Sequence, residues 1–175
     1  LPQDLLWKSE KLTDLEYTKL KTHTMLGFDL LKDQPEIGET IIKATLQHHE
    51  RCDGSGYPSK LKGDKIDVFA KYIAVIDAYE AMTSARTYRQ PLHPFQVIEN
   101  FEREGYEKYE KAILQPILYH IAATQLGFMV RLSNDEEAKV TTINKDNLAR
   151  PLLTRADGSY LDLSSRPELT ITAIF

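Results

Sequence analysis

His48-His49-Glu50-Arg51-Cys52-Asp53-Gly54-Ser55-Gly56-Tyr57-Pro58 is where the chain passes from one kind of backbone to another. Before it, Ile37, Ile41, Ala44 and His48 recur at spacings of three and four, which predicts a helix ending in paired imidazoles. From Asp53 to Gly63 three glycines and a proline stand among polar residues. The helix therefore gives way to a loop with backbone conformations closed to most side chains.

Moving outward, Thr13 can cap a helix while Glu16, three positions on, reaches back to it. The apolar positions Leu20, Leu26, Leu30 and Leu31 follow at helical spacing, and His23 falls on the stripe of Leu20 and Gly27, which predicts that it faces inward. Asp33-Gln34-Pro35 breaks the pattern. Beyond the loop, Asp67 to Ala85 is apolar on nearly all sides through Val68, Ile73, Val75, Ile76 and Met82, so it reads as a central buried helix. Asp77 and Glu80 lie three apart on one face of it. Pro91 and Pro94 introduce a helix through Phe95, Val97, Ile98 and Phe101, and another runs from about Tyr109 to Thr124. After Gly127 the pattern turns to short β-rich runs, at 128–132, 139–143, 151–154, 160–163 and 169–175, separated by turn signals at Asn134-Asp135 and Asp157-Gly158. The expected architecture is mainly α: a helical bundle over residues 1–126 with a small antiparallel β appendage over 127–175.

Composition narrows the function classes. The chain has 175 residues, 42% hydrophobic and 27% charged, as a soluble globular domain does. No apolar run approaches the ~18 residues of a membrane span. The net charge of −4 argues against a partner that is a nucleic-acid polymer, which calls for a basic excess. The one cysteine, Cys52, forms no intrachain disulfide, and a reducing, cytoplasmic setting is expected. The chain opens on Leu1 rather than Met, inside what reads as an ordered segment, so it is expected to be a fragment or a trimmed chain.

Paired histidines at a helix end, with a glycine loop that lets backbone approach, suit a metal cluster. Imidazoles and carboxylates together suit iron, manganese or zinc, and Asp77 on a buried helix needs a counter-charge that a metal ion would supply. Taken singly, each residue has a plainer reading. His23 can be a hydrogen-bonded core histidine, His48 and His49 a helix-end cap, Asp77 the partner of Arg86, and Arg86 and Arg89 surface charges. Cys52 lacks an orienting third group and reads as inert. His93 and His120 read as structural.

Lys21-Thr22-His23, His48-His49-Glu50, Asp53-Gly54-Ser55-Gly56-Tyr57-Pro58 and Ile76-Asp77-Ala78-Tyr79-Glu80-Ala81-Met82-Thr83-Ser84-Ala85-Arg86-Thr87-Tyr88-Arg89, in that order, resemble the HD-GYP phosphohydrolases. The resemblance covers residues 1 to about 124. It implies an HD-like helical fold and a metal-dependent phosphodiesterase that cuts the bacterial messenger cyclic di-GMP to the linear dinucleotide. It further implies His23, His48, His49 and Asp77 as ligands of two or three divalent ions, iron or manganese, which activate water. Tyr57, Arg86 and Arg89 would contact the guanine or phosphate parts of the substrate. The His-Asp doublet and nearby lysine of the family are absent here and are expected shortly upstream of Leu1. The alternative is a module that binds cyclic di-GMP without cutting it, or docks another signalling domain through its Gly-Tyr-Pro face. A homodimer is also compatible with such a module.

Overall fold

The capping box at Thr13 forms as the sequence predicts. The Thr13 hydroxyl accepts from the Glu16 amide at 3.3 Å, and the Thr13 amide donates to Glu16 Oε2 at 2.8 Å. Lys8 donates to the same carboxylate at 2.7 Å, and these contacts hold the Glu16 carboxyl down to about 2. In this computed structural model, which describes residues 1–8, 10–85 and 90–175, the chain divides into two compact units. One comprises Leu1–Pro91 and Tyr106–Ile113, the other Leu92–Gly105 and Leu114–Phe175.

The first unit carries α1 (Gln3–Leu6), α2 (Asp14–Lys21), α3 (His23–Leu31), α4 (Glu39–Gln47) and α5 (Val68–Thr83). The predicted first long helix is interrupted at Thr22, whose amide and hydroxyl both bond to the Lys19 carbonyl, so that His23 opens a new helix. At the end of α4 the Arg51 guanidinium donates to the carbonyls of Glu50 and His48 at 2.8 and 3.3 Å. It thereby serves carbonyls that the helix end leaves without partners. Gln47 accepts from the Asp67 amide at 2.7 Å, and Asp67 in turn caps α5 at the Phe69 amide. Ala44, Ile66 and Ala70 form a buried cluster with Cys52 and Leu61 against it.

The reading of α5 as buried on all sides is corrected. Ala70, Ala74 and Val75 are buried, but Val68, Phe69, Tyr72, Ile73 and Ile76 are 43–57% exposed. A helix apolar all round shows that several faces can be covered, not how many neighbours are present to cover them. Leu26 and Leu30 on α3 are likewise exposed. Asp77 shares this fate, with 43% of its side chain in solvent, so the premise that its charge must be balanced in a dry interior does not hold.

The second unit holds α6 (Pro94–Lys108) through Gly105 and α7 (Lys111–Ala123) from Leu114. It also holds β1 (Met129–Leu132), β2 (Glu137–Thr142), β3 (Leu152–Arg155), β4 (Tyr160–Asp162) and β5 (Ile171–Ile174). The strands form one antiparallel sheet in the order β4-β3-β2-β1-β5. Val130, Leu132, Ala138, Val140 and Leu161 are buried between exposed neighbours, the alternation of a sheet with one covered face. The turns fall where the sequence places them, with Asp135 and Gly158 at positive φ. Among the described residues no helix is long and apolar enough to cross a membrane.

His93 joins two elements of this unit. Its Nδ1 accepts from the Gln96 amide at 3.3 Å in the first turn of α6, and its Nε2 donates to the Ile171 carbonyl of β5 at 2.8 Å. That arrangement needs a neutral ring, and burial pushes its pKa below the usual imidazole range. The unfolded imidazole takes a proton near 6.5 while folded His93 still resists it, so its contribution is intact above that pH and is lost as pH falls below it. His93→Gln is expected to flatten the decline of unfolding midpoint between pH 6.5 and 5. An unchanged slope in thermal denaturation would contradict it.

Candidate metal centre

Three imidazoles converge at the junction of α3 and α4. His23 stands at the start of α3, His48 caps the end of α4 and His49 follows it. Each offers a ring nitrogen, and the three atoms lie within 4.8 Å of one another. The approach is set by Gly27, one turn along α3, because a Cβ there would lie 2.7 Å from Thr45 Cγ2 on α4.

Hydrogen bonds fix how two of the rings point. His23 Nδ1 lies 2.9 Å from the Leu20 carbonyl, and His48 Nδ1 lies 2.9 Å from the Thr45 carbonyl. A carbonyl only accepts, so both Nδ1 atoms carry a proton, and in the neutral rings both Nε2 atoms carry lone pairs. Those two Nε2 atoms face each other at 3.2 Å. Two acceptors at that distance repel unless a cation or a proton lies between them. Histidine ligands tied by the other nitrogen to a backbone carbonyl are the usual support of a metal site. Nitrogens bound at about 2.0–2.1 Å to one tetrahedral ion are about 3.3 Å apart, close to the spacing seen. The donor set fits a divalent metal ion.

Electrostatics keep His48 and His49 neutral. Burial and then the charges of His48, His23 and Arg51 push His49 down to about 3, and burial followed by His23 lowers His48. Asp77 on α5 lies beside the group, its Oδ2 3.7 Å from His49 Nδ1, too far for a hydrogen bond. It lines a cavity of about 450 Å³ together with His48, Ile41, Phe69 and Ile73. The structure thus brings His23, His48 and His49 into one group and leaves Asp77 next to it, half-exposed.

The Tyr57 ring stacks on His49, with centroids 4.7 Å apart and planes at 25°, and meets His23 edge-on at 6.5 Å. Part of the aromatic surface expected to receive a base therefore packs on an imidazole. Burial raises the Tyr57 hydroxyl well above its usual range, so it stays protonated. The Lys21 ammonium lies 5.8 Å from the Tyr57 centroid and 5.2 Å from that of Tyr17, a cation at the rim whose place the sequence does not disclose. Arg86 and Arg89 lie outside the described residues. Burial raises the Cys52 thiol, in keeping with an inert role.

The loop carrying Tyr57 packs backbone to backbone on the helix end. A Cβ on Gly56 would lie 2.5 Å from Arg51 N, Glu50 Cα and the His49 carbonyl oxygen. The Tyr57 amide donates to that same carbonyl at 3.2 Å, and the Tyr57-Pro58 peptide bond is cis. Gly54 adopts φ +82°, in the region glycine alone enters freely.

Over 135 residues the chain is 30% identical to a cyclic di-GMP phosphodiesterase of Pseudomonas aeruginosa, covering 77% of this chain and 32% of that protein. It is 27% identical over 121 residues to 3'3'-cGAMP-specific phosphodiesterase 2 of Vibrio cholerae, covering 69% of this chain and 23% of the relative. The chain thus spans a third or less of the length of these two relatives. Among solved structures, an HDG"Y"P protein from Bdellovibrio bacteriovorus shares the fold with a TM-score of 0.53 at 18% identity, over 65% of this chain and 36% of that one. The sequence model of the HD domain matches residues 1–113, a stretch that contains all three histidines and the Gly-Tyr-Pro loop, and the chain belongs to that family.

Proposed function

We propose that this chain is part of a metal-dependent phosphodiesterase that hydrolyses a cyclic dinucleotide, cyclic di-GMP first among them, to the linear dinucleotide. The observation that carries the reading is the pair of Nε2 lone pairs held face to face at 3.2 Å by the Leu20 and Thr45 carbonyls. Two acceptors so placed call for a cation or a proton between them, and the third ring nitrogen that His49 adds within 4.8 Å favours a metal ion. The names of the Pseudomonas and Vibrio relatives supply the substrate class.

His23, His48 and His49 would hold the ions, two or three of iron or manganese, with Asp77 completing the set from α5. A divalent ion there lowers the pKa of water and neutralises charge on the phosphoryl oxygens. The chain's own contribution is placement. Neutral imidazoles keep their lone pairs free, Tyr57 fixes the His49 ring, and Arg86 and Arg89 would clamp phosphate in the bidentate manner of guanidinium. Other signalling domains would dock on the Gly-Tyr-Pro face, and a second copy of the chain is a compatible partner.

The test is hydrolysis of cyclic di-GMP and of 3'3'-cGAMP with Mn²⁺ or Fe²⁺ supplied, comparing the unsubstituted protein with His49→Ala and Asp77→Ala. A loss of about 100-fold or more is expected for His49→Ala, following the contribution typical of one electrostatic group. A smaller loss is expected for the half-exposed Asp77. Rates equal to the unsubstituted protein would remove both residues from the mechanism. Tight binding without turnover would assign the chain to the non-catalytic class.

A further inference from the structure

Glu50 stands between the histidine pair and the loop, and it is 2% exposed. Isolating a carboxylate from water is costly unless its oxygens are hydrogen-bonded. Here Oε1 accepts from the Ser59 amide at 2.7 Å and Oε2 from the Leu61 amide at 3.0 Å. Bonds from a backbone N–H to an ionised acceptor are among the stronger kind. With the Tyr57 amide on the His49 carbonyl, the loop is pinned at 57, 59 and 61, on both sides of Pro58. Gly56 lets the chain lie against Glu50 Cα itself.

From this geometry we infer that Glu50 is a positioning residue: its carboxylate latches the loop so that Tyr57 closes on His49 and fixes the orientation of that imidazole. The inference rests on the reading of the histidine group as a metal site but not on the identity of the substrate. Glu50 itself need touch neither metal nor substrate. It acts through the loop, as groups supporting a ligand do, and such support is commonly worth 10–100-fold in metal affinity.

The consequence is separable from mere folding. Glu50→Gln exchanges one accepting oxygen for an NH₂ group that meets a backbone donor, so one latch bond is lost and a repulsion added. Tyr57→Ala removes the ring that the latch positions. Both variants are expected to weaken Mn²⁺ binding by about 10-fold or more. The double variant should bind no more weakly than either single one, because both losses follow one route. Losses that multiply, or an unchanged Mn²⁺ affinity in folded Glu50→Gln, would overturn the inference.

Amide hydrogen exchange decides it independently of metal and of any variant's ability to fold. In the unsubstituted protein Ser59 and Leu61 should exchange more slowly than Lys60 between them. In Glu50→Gln one of these two amides should lose that protection while α5 stays protected. Ser59 and Leu61 exchanging as fast as Lys60 in the unsubstituted protein would remove the latch. If Mn²⁺ fails to bind even the unsubstituted protein, the metal reading falls, and the exchange result still judges the latch on its own.

Discussion

Gly56→Ala is expected to lower the unfolding temperature by about 5–10 °C and to weaken the metal site with it. The added Cβ would meet three backbone atoms at 2.5 Å, on Glu50, Arg51 and His49, and none of them belongs to a side chain that can swing aside. Overpacking typically costs about 1–3 kcal/mol, and contacts confined to backbone lie at the upper end. In a chain of this size each kcal/mol moves the midpoint by about 2–4 °C. To relieve the clash the loop must lift, which stretches the Tyr57 amide bond to His49 and both bonds from Glu50. Gly38→Ala is the control, since nothing lies within 4 Å of a Cβ there. Midpoints for Gly56→Ala and Gly38→Ala within 1 °C of each other by calorimetry would show that the loop yields freely.

The second large effect concerns the facing imidazoles. Mn²⁺ at 100 times its dissociation constant stabilises a folded protein by about 2.7 kcal/mol, which corresponds here to a rise of about 5–10 °C. His48→Ala deletes one of the two nitrogens that sit 3.2 Å apart, and His23→Ala the other. Either substitution is expected to abolish most of that rise. Without metal, His48→Ala also removes a repulsion between two acceptors and should cost the protein little. A plain structural histidine would show the opposite pattern, with a loss in the absence of metal and no change in the metal response. A full Mn²⁺ response in both variants would show that the ion binds elsewhere.

Much of this was legible from residue order. The Thr13 and Glu16 pair announces a helix start because both its partners are local, and the strands announce themselves because a half-covered sheet forces alternation. His48 and His49 could be placed at a helix end opening on a loop, since glycine and proline mark where regular bonding stops. What escaped was set by distant neighbours. The five large apolar side chains of α5 are exposed although the helix reads as central, because composition records the capacity to be covered and not the number of covering elements. Asp77 is half-exposed for the same reason. Glu50 gave one usable signal, an acid wedged between imidazoles and a glycine loop. Its value lies in two amides, nine and eleven residues on, that any residue type supplies. That Tyr57 stacks on His49 was not legible, because the sequence does not disclose which face of a ring is already taken.

Gly27 lies one turn past His23 and its counterpart Thr45 one turn before His48, so a single hydrogen atom meters the gap that the donor nitrogens must span. The calibre of the centre is written away from the ligands themselves. Every residue larger than glycine would act as a spacer between the two rods, and a protein with all its imidazoles intact would lose the grip of the trio through a position that never touches the ion.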